Sequence, residues 1–260
     1  MRYLILSFLI LGCTQEQPTS LLDATIKSSG WGKVLEKTMT GLEAEKTKYR
    51  VEYDGLFNEK TKPVEDMNAS LETKEEFLFK TKGFSFIMDF ECKGCHINKE
   101  IPPCHFDKDD PGLDTCAGIS RNAYPLVYVD LLNTFMQRGE QMYFGQVCFP
   151  SNFWKIVKDF YYKKYFSRFK DCGWPRSFIL TDSAIPMGVQ GAVKTLQMAE
   201  GLAVDGLFGP ISRKACESFD IQKFHEIEQK RFKSFKKCFK FCPGWLRRSK
   251  KRLEDFNDEN

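Results

Sequence analysis

The sequence predicts a mainly α-helical protein with one short extended loop region. Two stretches place apolar residues at helical spacing: Asn152 to Phe169, with lysines between them, and Phe178 to Ala199, which alternates apolar and small residues as a buried helix does. The segment from Cys92 to Cys116 is instead rich in Cys, Pro and Asp, which predicts loops or short strands.

The composition excludes several classes of protein. The chain has 260 residues, 42% of them hydrophobic and 28% charged, which is enough for a sizeable core and excludes general disorder. Its net charge of +4 is too small to indicate nucleic-acid binding. No run of apolar residues approaches the ~18 that a membrane-spanning helix needs.

The N-terminal segment predicts export. Arg2 precedes an almost unbroken apolar run from Tyr3 to Leu11, so residues 1–12 are interpreted as a signal peptide. The sequence up to Cys13 resembles a bacterial lipobox, although Leu11 is bulkier than the small residue usual at that place. We therefore predict lipidation of Cys13 and an exported, membrane-anchored lipoprotein facing the periplasm or cell envelope. A plain cleaved signal or a short uncleaved anchor is the alternative.

The first candidate functional residue closes an apolar helix. Phe84, Phe86, Ile87 and Phe90 share one helical face, and Glu91 follows them. Aromatic neighbours would remove water from this carboxyl group and favour its protonated form, as a general acid requires. A solvated glutamate at a helix end is the alternative.

Later segments predict further helices joined by turns. The stretch from Asp205 to Pro210 is a turn cluster, in which Asp205 bonds the backbone and Pro210 starts a helix. A helix capped near Ser212 is expected to continue to Lys240. The basic stretch from Lys223 to Arg252 is interpreted as a solvated face that could lie on anionic lipids or wall polymers. Four phenylalanines of this stretch are expected to be core residues: Phe224, Phe232, Phe235 and Phe239.

Several ordered motifs carry a resemblance to a known family. They are Phe90-Glu91, Asp110-Pro111-Gly112, Thr115, Gly118-Ile119-Ser120 and Tyr124-Pro125, followed by Asp182 with Gly188, Leu196-Gln197, the turn from Asp205 to Pro210, and Gly244 to Arg248. In this order they resemble glycoside hydrolase family 108, a family of N-acetylmuramidases with a lysozyme-like helical fold. The likeness runs from about Gly83 to Arg252.

The resemblance implies roles for particular residues. Glu91 would be the general acid, Asp110 the second carboxylate, and Thr115 would help to hold the water. Substrate-binding residues would be Gly118, Ser120, Tyr124 and Asp182. The expected partner is peptidoglycan, with no cofactor and no nucleic acid, and the protein is expected to be a monomer.

Composition before Gly83 and the resemblance after it together predict a domain organisation. A spacer of residues 13–82, partly structured, would precede a muramidase-like segment of residues 83–172. A peptidoglycan-binding-type helical region of residues 173–252 would pack on it, and residues 253–260 would form a tail. A small separate module is the alternative for the spacer.

Departures from the family pattern leave a second hypothesis open. Cys92 and Lys93 stand where the family has a glycine pair, Leu113 replaces a glycine, and Pro186 replaces an asparagine. Extra residues carry Cys95, Cys104 and His105. A wall-binding lipoprotein that has lost turnover is therefore the alternative to the enzyme.

Ten cysteines in an exported chain predict disulfide bonds. If Cys13 carries a lipid, nine remain, so at least one is unpaired or bonded to another chain. Two less favoured interpretations compete. The sequence from Cys92 to His96 matches the attachment pattern of haem c. A zinc site is the other interpretation, with ligands drawn from Cys92, Cys95, Cys104, Cys116, His96 and His105.

Overall fold

Helices make up most of the described chain, and a small antiparallel sheet interrupts them. The computed structural model describes residues 72–98, 100–106, 114–143, 145–236 and 238–257. These residues belong to one compact unit, Glu65–Asn260. The predicted signal peptide, Cys13, most of the predicted spacer and Asp110 lie outside the described residues. The mainly α-helical fold with a short extended region is confirmed.

The described helices follow one another in this order: α1 (Lys74–Leu78), α2 (Phe84–Glu91), α3 (Pro125–Met136), α4 (Ser151–Tyr161), α5 (Ser167–Phe169), α6 (Arg176–Met187), α7 (Val189–Ala199), α8 (Pro210–Cys216), α9 (Ile221–Ser234) and α10 (Cys238–Phe256). A π-helical turn, Phe79–Gly83, joins α1 to α2, and a second, Tyr162–Phe166, joins α4 to α5. Helix therefore begins within the last part of the predicted spacer and extends to Phe256, into the predicted tail.

The helical segment that ends at Glu91 is fixed at its start and along its length. Thr73 accepts a hydrogen bond from the backbone N–H of Glu76, and the Glu76 side chain bonds back to Thr73 in a capping box. Further along, a Cβ at Gly83 would lie 2.8 Å from the Phe178 ring, so glycine allows α2 to approach α6 closely. These contacts set the position of Glu91.

The sheet consists of three short antiparallel strands, β1 (Cys104–Phe106), β2 (Asp114–Cys116) and β3 (Ile119–Ser120). Thr115 on the central strand pairs with His105 on one side and Ser120 on the other. Ala117 and Gly118 form the turn between β2 and β3, with φ of 47° and 78°. Positive φ at both central residues is typical of a tight hairpin turn.

Two details of the predicted helices are wrong. The helix expected from Ser212 to Lys240 is three helices, because α8 ends at Cys216 and Asp220 caps a new helix by accepting from the N–H of Lys223 at 3.0 Å. Ser212 is buried inside α8 and donates to the Leu207 carbonyl, so it does not cap the helix. The expected start of α8 at Pro210 is confirmed.

Disulfide bonds are confirmed. The described pairs are Cys92–Cys95, Cys104–Cys116, Cys172–Cys216 and Cys238–Cys242. Cys148 is disulfide-bonded as well, and no free thiol occurs among the described residues. The sulfurs of Cys92 and Cys95 bond to each other, so in this state neither can attach haem or bind zinc. Among all the residues that the structure describes, no helix is both long and apolar enough to span a membrane.

Candidate active site

Glu91 ends α2 at the point where the helix meets the sheet. Its side chain is 19% exposed, and its Oε1 accepts from Arg248 Nη1 at 2.5 Å. The other oxygen, Oε2, faces the β2–β3 turn, where a Cβ on Gly118 would lie only 2.5 Å away. Only a residue without a side chain lets the turn come this close to the carboxyl group.

The surroundings of Glu91 differ from the aromatic pocket that the sequence predicts. Phe86 and Phe90 are present, but the Arg248 guanidinium lies over the Phe90 ring, 5.4 Å from its centre, and forms an ion pair with Glu91. The carboxyl group therefore lies between aromatic rings and a guanidinium partner, and not in a purely hydrophobic pocket.

Tyrosine hydroxyl groups cluster on the same side as Glu91. Tyr161 donates to the Ala117 carbonyl at 2.9 Å, and the Tyr124 and Tyr165 oxygens are 3.4 Å apart. Burial, and then the charge of Glu91, raise the pKa of Tyr161 well above its usual value. Burial also raises the pKa of Tyr165, with Tyr124 and Glu91 adding to it. Both hydroxyl groups therefore stay neutral and can donate hydrogen bonds.

Asp182 holds Arg248 in place. Its Oδ1 accepts from Arg248 Nε at 2.8 Å and from Nη2 at 2.7 Å, and its Oδ2 accepts from Arg252 Nη1 at 2.8 Å. The Asp182 side chain is fully buried. The expectation that it binds substrate is therefore wrong, because both its oxygens are occupied and no solvent reaches it.

Glu228, another buried carboxylate, continues the network away from Glu91. Glu228 accepts from Ser183 Oγ at 2.5 Å, and also from Arg252 and Ser249. Ser249 Oγ lies 2.8 Å from His225 Nδ1. The chain of contacts thus joins α2, α6, α9 and α10.

Three residues of this network, Arg248, Arg252 and Glu228, were not predicted from the sequence. The basic C-terminal stretch was expected to be a solvated face, yet Arg248 is 7% and Arg252 3% exposed. Both are buried because each guanidinium is paired with a buried carboxylate. The sequence did carry one signal for this pair: Arg248 and Arg252 are four residues apart, which places both guanidinium groups on one face of a helix.

The other predicted residues take different places. Thr115 and Ser120 are half-buried partners across the β2–β3 pairing. Gly118 contacts Glu91, as described above, and Tyr124 stands directly before α3. Asp110 lies outside the described residues, so its distance to Glu91 stays a prediction.

A cleft with a volume of about 570 Å³ opens beside the tyrosines. It runs from the residues around Tyr165 to the junction of α6 and α7 and the turn at Leu207. Its lining includes Tyr124, Lys164, Tyr165, Arg168, Gly188 and Leu207. Volumes of this size are common for ligand-binding clefts.

The turn from Asp205 to Pro210 has the structural role that its residues predict. Asp205 Oδ1 accepts from the N–H of Leu207 at 2.8 Å and from Gln197 Nε2 at 2.7 Å. These two bonds lower the pKa of Asp205. Gln197 also accepts from the N–H of Gly206 at 2.8 Å, so its amide holds the turn from both sides.

The described residues contain no group of three or more His, Cys, Asp or Glu side chains placed to hold a metal ion.

No family model and no curated protein sequence matches the chain. A solved structure titled "Structure of Brucella abortus SagA" is similar to it, with a TM-score of 0.47 and 20% identity, covering 70% of this chain and 97% of that one.

Proposed function

We propose that the chain is a peptidoglycan hydrolase of the N-acetylmuramidase type, with Glu91 as the general acid. It would cut the β-1,4 bond between N-acetylmuramic acid and N-acetylglucosamine. One observation carries the proposal: Glu91 stands partly exposed at a helix end, held by Arg248 and packed against the Gly118 turn. Hydrolysis of a glycoside requires such a positioned carboxyl group to protonate the leaving oxygen.

The ion pairs of the network support a positioned carboxyl group at Glu91. The network contains three carboxyl groups, Glu91, Asp182 and Glu228, and two guanidinium groups, Arg248 and Arg252. Arg248 connects Glu91 to the buried Asp182, so the buried part of the network fixes the position of the Glu91 carboxyl group.

Glu91 is the member of the network that a ligand can reach. Asp182 and Glu228 are fully buried and accept several hydrogen bonds each within the protein. Glu91 shares Arg248 with Asp182 and is the most exposed of the three carboxyl groups. A general acid has to lie within hydrogen-bond reach of the group that it protonates, and of these three carboxyl groups Glu91 meets that condition best.

The remaining parts of the mechanism follow the family resemblance. Asp110 is proposed as the second carboxylate, which would activate water or stabilise positive charge on the sugar. Thr115 is proposed to hold that water, and Gly118, Ser120 and Tyr124 to border the sugar. The cleft lined by Tyr124 and Tyr165 is proposed to hold the glycan, with Lys164 and Arg168 near the acidic groups of the wall.

Substitution of Glu91→Gln tests the enzyme. It should abolish the release of reducing ends from purified cell walls without weakening sedimentation with those walls. The matched control is Asp89→Asn, an exposed carboxylate on the same helix, which should leave hydrolysis intact. If the unmodified protein sediments with walls and releases no reducing ends, the wall-binding lipoprotein is the better description.

Export to the cell envelope is part of the same proposal. Several disulfide bonds are typical of an oxidising compartment. We propose that the N-terminal segment directs export and that the protein is a monomer facing the periplasm or cell envelope. Fractionation of a bacterial host that produces the full chain tests this: protein retained in the cytoplasm would contradict it.

A further inference from the structure

The first turn of α10 carries aromatic side chains on the surface of the protein. Phe239 is 88% exposed, more than any other large hydrophobic side chain of the described residues, and Phe241 is 39% exposed. Trp245 stands one turn later and is half-buried. Phe239, Phe241 and Trp245 are called the aromatic tip below. The prediction that Phe239 is a core residue is therefore wrong.

A disulfide bond and ring contacts anchor the aromatic tip. A disulfide bond between Cys238 and Cys242 closes the turn on which Phe239 stands. Phe241 stacks on Trp245 with ring centres 5.6 Å apart, and Trp245 packs at 5.4 Å against Phe232, which is buried. Phe239 is thus exposed on a turn that is anchored on both sides.

Positive charge surrounds the tip. The sequence contains no Asp or Glu from Gln229 to Leu253. Lys236, Lys240 and Arg247 are exposed, and the Lys240 ammonium lies 5.2 Å from the centre of the Phe241 ring. Arg248 and Arg252 point their charges into the buried network instead, so α10 presents its remaining cations outward.

We propose that the aromatic tip inserts into the surface of a bilayer that contains anionic lipids. Aromatic rings partition to the level of the lipid head groups, and lysines near them are attracted to an anionic surface. An acidic wall polymer would satisfy the lysines but leave Phe239 in water. A second copy of the chain, joined tip to tip, would bring lysines against lysines. A lipid surface satisfies both features, and this inference does not rest on the proposed hydrolase activity.

The test uses the full chain with Phe239→Trp, compared with Phe77→Trp as the matched control. Phe77 is 56% exposed on α1, away from the tip. The emission of the unmodified protein is subtracted from each spectrum, so that only the introduced indole is observed. Vesicles of phosphatidylglycerol and phosphatidylcholine with brominated acyl chains should shift the emission of the Phe239→Trp variant to the blue and quench it.

The control should behave differently in the same vesicles. The indole of the Phe77→Trp variant should remain unquenched, and pure phosphatidylcholine vesicles should have little effect on either variant. This readout is local to the substituted position, so any anchoring by the N-terminal segment does not mask it.

Charge reversal tests the lysines. Adding Lys236→Glu and Lys240→Glu to the Phe239→Trp variant should raise the lipid concentration for half-maximal quenching by at least roughly thirtyfold, the factor expected from the loss of the two lysines alone. The control pair, Lys74→Glu with Lys155→Glu, makes the same change in net charge at exposed positions elsewhere. It should change the lipid concentration for half-maximal quenching far less.

Three results overturn the proposal. The first is equal behaviour of the Phe239→Trp and Phe77→Trp variants with anionic vesicles. The second is an emission shift of the Phe239→Trp variant that needs protein concentration and no lipid, which would indicate self-association. The third is a shift caused by soluble polyphosphate and not by vesicles, which would indicate an acidic polymer as the partner.

Discussion

Arg248 Nη1 lies 2.5 Å from Glu91 Oε1, although 157 positions separate the two residues in the chain. The same guanidinium donates twice to Asp182, so one arginine connects a partly exposed carboxylate to a fully buried one. The C-terminal helix therefore supplies a part of the candidate site that begins at the end of α2.

Loss of Arg248 should destabilise the fold and the site together. Arg248→Ala leaves Glu91 without its partner and Asp182 with Arg252 alone, which should lower the free energy of unfolding by about 3–5 kcal/mol. Urea denaturation followed by circular dichroism measures this. The neighbouring Arg247 is exposed, so Arg247→Ala should change stability by less than about 0.5 kcal/mol. Equal losses for the two variants would contradict the structural role of Arg248.

Gly118→Ala should lower the stability of the fold by more than the strain of a positive φ alone explains. Gly118 has φ of 78°, and a Cβ there would lie 2.4 Å from the Tyr161 hydroxyl and 2.5 Å from Glu91 Oε2. Gly139 has φ of 70° with nothing within 4 Å, so Gly139→Ala reports the angle alone. The expected excess loss of stability for Gly118→Ala is about 1–3 kcal/mol by thermal unfolding. Indistinguishable melting temperatures would show that the turn can move away from Glu91.

His225 should make the protein less stable in mild acid. Burial lowers the pKa of His225 below its usual 6.5, with the charge of Glu228 opposing this. The unfolded chain then binds a proton before the folded protein does, so the free energy of unfolding falls as the pH drops below about 6.5. Nuclear magnetic resonance should show the His225 ring titrating below pH 6.5. A midpoint above that value would reverse the expected sign.

The disulfide bonds should contribute unequally to the stability of the fold. Cys172–Cys216 closes a loop with a sequence separation of 44, whereas Cys92–Cys95 closes one of 3. Loop-closure entropy predicts that replacing both Cys172 and Cys216 by alanine lowers the free energy of unfolding by about 4 kcal/mol. Replacing both Cys92 and Cys95 should lower it by about 2 kcal/mol. Denaturant unfolding of the two double variants tests this order, and an inverted order would show that entropy does not dominate.

Several features could be predicted because they depend on nearby residues. The amphipathic spacing from Asn152 onward predicted buried positions such as Phe153, Val157 and Phe160, and all three are buried. The apolar face before Glu91 predicted a helix that ends there, as α2 does. The number of cysteines predicted disulfide bonds but not which cysteines pair, because pairing depends on how distant segments meet.

Local pattern by itself therefore determined several of the helices, the extended region, the turn at Asp205 and a glutamate at the end of an apolar helix. Only the packing of α2, α6, α9 and α10 decided that Arg248 reaches Glu91, that Asp182 is buried beneath it, and that Phe239 faces solvent. The physical reason is the distance along the chain over which each interaction acts. Periodicity and capping act within a few residues of the chain, whereas the burial and pairing of a charge depend on side chains that packing brings together from far apart in sequence.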